Sequence, residues 1–142
     1  MATKQDFSDA EWEALQRGLT GSGMLVSLSD RDFTDSFGEA GALGKYLAGQ
    51  QTAGATDFVR QVAKTKGTGF GLTTSPDTVR AETMGALQTS VALLQEKFPD
   101  EVEPYRTLVL GLADAVAKAK GGGTSDIEVA AIAQIRGALG AA

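Results

Sequence analysis

The residues best suited to chemistry lie in one short acidic turn, in which Asp30, Asp32 and Asp35 are followed by Glu39 one helical turn later. Hard divalent cations such as Ca²⁺ and Mg²⁺ prefer several oxygen ligands, so these four side chains form a candidate metal site. The turn does not match an EF-hand, because Gly is missing at its sixth position and Gly41 replaces Glu at its twelfth. The alternative interpretation is a solvated acidic turn ahead of a helix N-terminus, where negative charge is favourable.

The chain contains no Cys and no His, which excludes thiol nucleophiles, disulfides, Ser-His-Asp triads and Cys/His zinc sites. Carboxylates, hydroxyls, Lys, Arg and Tyr remain for chemistry. A catalytic carboxylate is expected in an apolar pocket that raises its pKa, whereas the acidic pairs of this chain lie in first turns of predicted helices, where acids act as caps. These pairs are Asp9/Glu11, Asp100/Glu103 and Asp126/Glu128. We therefore expect a protein that is not an enzyme.

Two further features allow a functional and a structural interpretation. Residues 67–71 read Gly-Thr-Gly-Phe-Gly, but they lack the Gly-Lys-Ser/Thr ending of a P-loop and follow no predicted strand, so they indicate a flexible connector. Trp12 could be a platform for a ligand. Its pairing with Phe7 across the start of a helix is also explained by a hydrophobic staple, which we favour.

Composition and charge narrow the class of protein. The chain has 142 residues, of which 42% are hydrophobic and 22% charged, as in a soluble single domain. The formal net charge is -5 and the 13 basic residues are scattered, so neither nucleic acid nor a polybasic membrane contact is expected. No apolar run approaches the ~20 residues of a membrane span, and the N-terminus has no apolar signal segment. We predict a cytoplasmic protein without membrane insertion.

Capping residues predict where successive helices begin. Ser8 and Glu11 form a capping box, and Ser75 followed by Pro76 places an N-cap before a proline at the first helical position. Gly140 is the predicted C-cap of the final helix. Further predicted helix starts are Ser36, Thr56 or Asp57, Asp100 and Ser125.

Apolar residues recur at helical spacing after each of these starts, and no stretch alternates with the period of a strand. The fourth helix carries an apolar stripe, which fits core packing better than a docking site for a partner helix. Glycines at positions 18, 21 and 23 predict either two short helices or one kinked helix. Residues 50–55 are predicted as a loop, and the short connection near residue 100 predicts an antiparallel hairpin. The stripe comprises Val79, Met84, Leu87, Val91, Leu94 and Phe98.

These patterns predict an all-α protein, a single-domain bundle of six or seven helices that spans residues 1–142, with a disordered tail over residues 1–6. They also indicate a weak internal duplication. Ser36-Phe37-Gly38-Glu39 and Ser125-Asp126-Ile127-Glu128 both follow loops and both open apolar helices. When these motifs are aligned, Leu43 corresponds to Ile132 and Tyr46 to Ile135.

The doubled arrangement, over residues 24–47 and 105–139, resembles the TerB-like helical proteins of the tellurite-resistance group. In that family an apolar helix, an acidic Asp-Gly loop and a Ser/Thr-x-x-Glu helix start occur in two copies. The first copy here has no Gly in its acidic turn, and the second has Lys120 where the family has Asp. The resemblance implies that Asp30, Asp32, Glu39 and Glu128 are the residues available to bind metal.

The resemblance implies a non-enzymatic module that binds a partner protein, with a divalent cation at the acidic turn and a role in a stress response. A second hypothesis is a structural homodimer without metal. A third is a small-molecule binder that depends on carboxylates, for which a buried carboxylate facing a closed pocket would be the signature.

Overall fold

Six α-helices and two 3₁₀ turns form the part of the chain that the computed structural model describes, residues 3–29, 36–65, 75–118 and 126–140. The 3₁₀ turns span Lys4–Asp6 and Pro99–Glu101. No strand occurs within these ranges, and the predicted all-α single-domain bundle of six or seven helices is confirmed. The helices are α1 (Asp9–Ser29), α2 (Ser36–Ala53), α3 (Asp57–Val62), α4 (Pro76–Lys97), α5 (Val102–Lys118) and α6 (Asp126–Ala138).

The predicted capping box at the start of α1 is present. The Ser8 N–H donates to Glu11 Oε1 at 2.8 Å, and the Glu11 N–H donates to Ser8 Oγ at 3.1 Å. The staple rings of Phe7 and Trp12 lie 5.8 Å apart between centroids. These contacts fix the entry of the chain into α1, because they satisfy two backbone donors and bury two aromatic rings.

The predicted caps of later helices are confirmed at two positions and wrong at one. Thr56 Oγ1 accepts from the Val59 N–H at 3.2 Å, and Ser75 Oγ accepts from the Thr78 N–H at 3.2 Å. Asp100 lies inside the 3₁₀ turn Pro99–Glu101, and α5 begins at Val102. The proline that opens this turn starts a tight 3₁₀ segment before the α-helix, so the helix begins later than the Asp100/Glu103 spacing indicated.

Helix α1 is the central element of the fold. It packs most extensively against α4, then against α5 and α6. Its glycines neither divide nor end it, because the close approach of neighbouring side chains uses the missing volume. A Cβ on Gly18 would lie 2.6 Å from the Tyr105 hydroxyl and 3.0 Å from Leu87 Cδ2.

The predicted antiparallel hairpin of α4 and α5 is wrong as a packing unit. These helices meet little beyond their connection, since each of them packs mainly against α1. The short connection sets their order along the chain, but the apolar faces of both helices are buried by α1.

Helix α2 continues through Ala53, so the loop predicted over residues 50–55 is wrong for its first part. Small polar residues do not by themselves end a helix. The helix instead ends just before Gly54, whose N–H donates to the Gln50 carbonyl at 3.0 Å. Arg60 then holds the Gly54 carbonyl through a 2.8 Å hydrogen bond from Nη1.

The apolar stripe of α4 belongs to the core, as favoured by the sequence. Val79, Leu87 and Leu94 are fully buried. Helix α5 contributes a second fully or almost fully buried face that includes Tyr105 and Leu112. Burial of such side chains contributes roughly 1.5–3 kcal/mol each relative to their exposure.

Five aromatic rings form a cluster at one end of the bundle. Their neighbouring centroids are 5.6 to 6.5 Å apart. The cluster draws the N-terminal segment onto α3 and onto the connection between α4 and α5. Its members are Phe7, Trp12, Phe58, Phe98 and Tyr105.

The N-terminal segment has local order that the predicted tail over residues 1–6 did not include. Thr3 donates to the Asp6 carboxylate from its backbone N–H at 2.9 Å and from its hydroxyl at 3.1 Å. This capping box closes the 3₁₀ turn Lys4–Asp6, so the segment from Thr3 to Phe7 has a defined path.

The C-terminal end of α6 follows the predicted cap. Gly140 has a φ of 70°, the left-handed conformation that glycine adopts without steric cost. The Arg106 guanidinium donates from Nε to the Leu139 carbonyl at 2.7 Å. A cation at the end of a helix compensates its unpaired carbonyls, so Arg106 ties α6 to α5.

The residues aligned by the proposed duplication have related environments. Leu43 and Ile132 are both partly buried against the core, as is Tyr46, and Ile135 is fully buried. The loops of both copies lie outside the described residues.

Candidate functional site

The acidic site predicted from the sequence cannot be assembled within the described residues. Asp30, Asp32 and Asp35 lie outside them. Glu39 belongs to α2, but its side chain is outside the described part of the chain. Across residues 3–29, 36–65, 75–118 and 126–140, no group of three or more acidic side chains forms a metal site. The glycine-rich segment at residues 67–71 is also outside these ranges.

Glu11 acts as a helix-start residue, whereas Asp100 lies inside the 3₁₀ turn Pro99–Glu101. The backbone N–H of Ser8 holds the pKa of the Glu11 carboxyl below its usual value, against the effect of desolvation, and Lys97 lowers this pKa further. Lys97 Nζ lies 3.4 Å from Glu11 Oε2. Glu103 forms an ion pair with Arg106. A carboxyl group with a lowered pKa is ionised at neutral pH and is unsuited to general acid catalysis.

One buried carboxylate was not anticipated. Glu101 is 8% exposed and accepts a 2.8 Å hydrogen bond from the Thr56 hydroxyl. It lines neither of the cavities described below. Its contact joins the start of α3 to the connection between α4 and α5, so its observed role is structural.

A cleft of about 570 Å³ is bounded by the 3₁₀ turn Lys4–Asp6, α1 and the end of α3. We call it the lysine cleft. Lys4 and Lys64 are exposed, the glutamines and the threonine are half-buried, and Trp12 is 6% exposed. The cleft is lined by Lys4, Trp12, Gln16, Gln61, Lys64 and Thr65.

A network of side-chain hydrogen bonds positions the walls of the lysine cleft. The Lys4 N–H donates to Gln61 Oε1 at 3.2 Å, which ties the N-terminal turn to α3. Gln16 Nε2 donates to the Val62 carbonyl at 3.4 Å, which ties α1 to the same helix. The carbonyls in the last turn of a helix lack intrahelical partners, so Gln16 also caps α3.

The chemistry of the cleft is that of a cationic hydrogen-bond donor. Six described side chains line the cleft and none of them is acidic, although the whole chain has a net charge of -5. Neither Lys4 nor Lys64 forms an ion pair with a carboxylate in the described part of the chain. The geometry therefore suits a ligand that carries negative charge and hydrogen-bond acceptors.

Sequence reasoning missed most of this cleft. Trp12 was considered as a ligand platform and assigned to the staple; it forms the staple and also lines the cleft. Lys4 lies within the tail over residues 1–6 that the sequence predicts as disordered. The Thr3-x-x-Asp6 capping pattern was the available signal that Lys4 has a fixed backbone.

A second, smaller groove of about 290 Å³ lies between α5 and α6. Its apolar part includes Val129, which is 54% exposed, and Ile132. Asp114 and Arg136 line the same groove and carry opposite charges. Asp114 also pairs with Lys118 at 2.9 Å.

Comparisons with known proteins leave the family open. No protein-family model matches the chain, and neither the curated proteins nor the solved structures give a match. None of the helices in the described ranges has the length and apolar character needed to cross a membrane. The resemblance to TerB-like proteins thus stays a prediction.

Proposed function

We propose that this protein is a non-enzymatic helical module of TerB-like type that acts in the cytoplasm by binding a partner protein. The observation that carries the proposal is the lysine cleft, which joins two exposed cations, two amide side chains and a buried indole in one concave surface. Its volume lies within the roughly 300–1,000 Å³ typical of binding clefts.

The character of the cleft favours binding over catalysis. A lysine that acts as a nucleophile or base is normally desolvated or placed beside another cationic group, whereas Lys4 and Lys64 are exposed at the rim. Two buried polar groups of the described core, on Tyr105 and Glu101, serve structural contacts. The Tyr105 hydroxyl donates to the Leu15 carbonyl at 2.7 Å, and Thr56 binds Glu101.

Co-purification from the native host tests this proposal. A double variant, Lys4→Gln with Lys64→Gln, is compared with a control that removes two exposed lysines elsewhere, Lys45→Gln with Lys118→Gln. We expect a protein that co-purifies with the wild type and the control in equal amount and is reduced several-fold with the cleft variant. Equal recovery of the co-purifying protein with the wild type, the control and the cleft variant would show that the cleft does not bind the partner.

Cation binding at Asp30, Asp32, Asp35 and Glu39 is a further part of the proposal, supported by the sequence pattern. A ligand that binds only the folded state raises its apparent stability. We expect Ca²⁺, Mg²⁺ or Mn²⁺ to raise the melting temperature, and Asp32→Asn or Glu39→Gln to abolish the shift. An unchanged melting temperature at saturating metal would end this part of the proposal.

A second candidate function, a structural homodimer, is favoured by the groove between α5 and α6. Its exposed Val129 lies in a groove that also holds one acidic and one basic residue, which suits a two-fold interface that pairs each with its opposite. A mass near twice 14.7 kDa that decreases on dilution and is lost in Val129→Glu, but not in Ala130→Glu, would support it. A monomer at all concentrations would rule it out.

A further inference from the structure

We propose that the lysine cleft receives an acidic peptide segment of the partner protein, with carboxylates paired to Lys4 and Lys64. This inference rests on the proposed binding function and adds the chemical class of what is bound. Three properties of the cleft support it: the sign of its charge, the type of its donors and its openness at the rim.

The sign of the charge is the first argument. The described lining residues contribute two ammonium groups and no carboxylate, within a chain whose net charge is -5. Two ammonium groups in one concave surface favour the approach of an anionic partner and set its orientation. Acidic side chains of the same protein would otherwise neutralise Lys4 and Lys64, and the described residues provide no such ion pair.

The donor types favour carboxylates over phosphate. Phosphate sites commonly use helix N-termini or the fork of an arginine. The described lining of the lysine cleft includes no arginine and lies at the C-terminal end of α3. The C-terminal end of a helix carries partial negative charge, which disfavours a dianion more than a single carboxylate.

The exposed rim favours a peptide over a small anion. Single ion pairs between exposed groups are weak and are screened by salt, so one small carboxylate gains little at either lysine. A peptide with two acidic side chains engages both lysines at once. Its backbone carbonyls can also accept from the amide group of Gln61, which lines the cleft.

Trp12 is the only tryptophan of the chain, so its fluorescence reports directly on the cleft. The full chain is titrated with a capped peptide, Glu-Glu-Leu-Glu-Glu, and with the neutral analogue Gln-Gln-Leu-Gln-Gln. Inorganic phosphate and glutarate serve as small-anion probes. We expect saturable binding of the acidic peptide that weakens with added salt, and affinity at least about tenfold lower for the neutral analogue and both small anions.

The variants separate recognition from folding. Lys4→Gln with Lys64→Gln should weaken the acidic peptide about tenfold, whereas Lys4→Arg with Lys64→Arg and the control Lys45→Gln with Lys118→Gln should retain it. Far-ultraviolet circular dichroism and the emission of Trp12 without ligand verify that each variant is folded.

Several outcomes would overturn the inference. Equal affinity for the neutral peptide would show that charge is not recognised, and equal affinity for phosphate or glutarate would make the ligand a small anion. Failure of every probe, while the co-purifying protein still depends on Lys4 and Lys64, would refute the acidic segment and leave the binding function intact. If every probe failed and co-purification did not depend on Lys4 and Lys64 either, both the acidic segment and the binding function would be refuted.

Discussion

At the scale of single residues, the Tyr105 phenol determines which side chains fit at position 18 of α1. The ring is fully buried, and its hydroxyl donates to the Leu15 carbonyl at 2.7 Å. Burial raises the pKa of this phenol, while the neighbouring Ser90 hydroxyl lowers it in part. The group therefore remains a neutral donor at all physiological pH values, and α1 approaches it through the missing side chain of Gly18.

Gly18→Ala should destabilise the protein, although alanine is the better helix former. The added Cβ would lie 2.6 Å from the Tyr105 hydroxyl. Overpacking costs typically about 1–3 kcal/mol, whereas the gain in helix propensity is about 1 kcal/mol. We expect a net loss of up to about 2 kcal/mol in urea unfolding, reduced when Tyr105→Phe is present.

Gly85→Ala is the matched control for this prediction. Gly85 is exposed on α4 and a Cβ there meets no neighbouring atom, so the same change should stabilise by about 0.5–1 kcal/mol. Equal effects at positions 18 and 85 would contradict the steric explanation.

The Glu11 carboxylate predicts how the stability of the protein depends on pH. Its folded-state pKa lies below the usual 4.5, so its contribution to stability is complete above that value and is lost as the pH falls through the folded-state pKa. Glu11→Gln keeps an acceptor for the Ser8 N–H but removes the charge that attracts Lys97. The stability difference between wild type and variant should be largest near neutral pH and should shrink between about pH 5 and pH 2. A difference independent of pH would exclude the ionised carboxylate as its source.

At the scale of elements, the starts of helices were the most predictable feature, because a cap is a local pattern of a few residues. Ser8, Thr56 and Ser75 all accept the expected backbone hydrogen bonds. Contacts across long stretches of sequence were not predictable. The Lys4 contact with Gln61, 57 positions away, fixes one wall of the cleft, and no local pattern indicates that pairing.

Thr56 takes part in both a local cap and a contact distant in sequence. Its hydroxyl caps α3 and also donates to Glu101, 45 positions away. Thr56→Val should remove a cap, at about 1 kcal/mol, and leave a buried carboxylate unpaired, at about 1–3 kcal/mol. We expect a total loss of roughly 2–4 kcal/mol in thermal or urea unfolding.

Two further variants test how that loss of stability is divided between the cap of α3 and the contact with Glu101. Thr56→Ser keeps both hydrogen bonds and should be close to wild type. Ser75→Ala removes a cap that has no buried carboxylate partner and should cost only about 1 kcal/mol. If Ser75→Ala and Thr56→Val were equally destabilising, the Glu101 contact would make no net contribution to the free energy of unfolding.

At the scale of the whole molecule, helices from the first half of the chain pack against helices from the second half. Helix α2 packs mainly against α5, α6 packs more against α1 than against α5, and α1 and α5 pack against each other. The proposed duplication of the pairs α1–α2 and α5–α6 stays a prediction. Sequence periodicity identified the apolar faces correctly, but it could not assign partners to them, since many pairings bury the same stripes.

The central position of α1 predicts its dynamics. Elements with many buried contacts open only in the largest unfolding events, and α1 contacts every other α-helix in the described part of the chain. We expect the amides in the middle of α1, around Leu19, to exchange more slowly with deuterium than those of α2, α3 or α6. Slowest exchange in α6 would contradict this prediction.

The same arrangement has a consequence for synthesis on the ribosome. Helix α1 is translated before α4, α5 and α6, which supply most of its contacts. Contacts distant in sequence form late and slow the closure of a core. The apolar face of α1 therefore stays uncovered on the ribosome until these three helices have also left the exit tunnel.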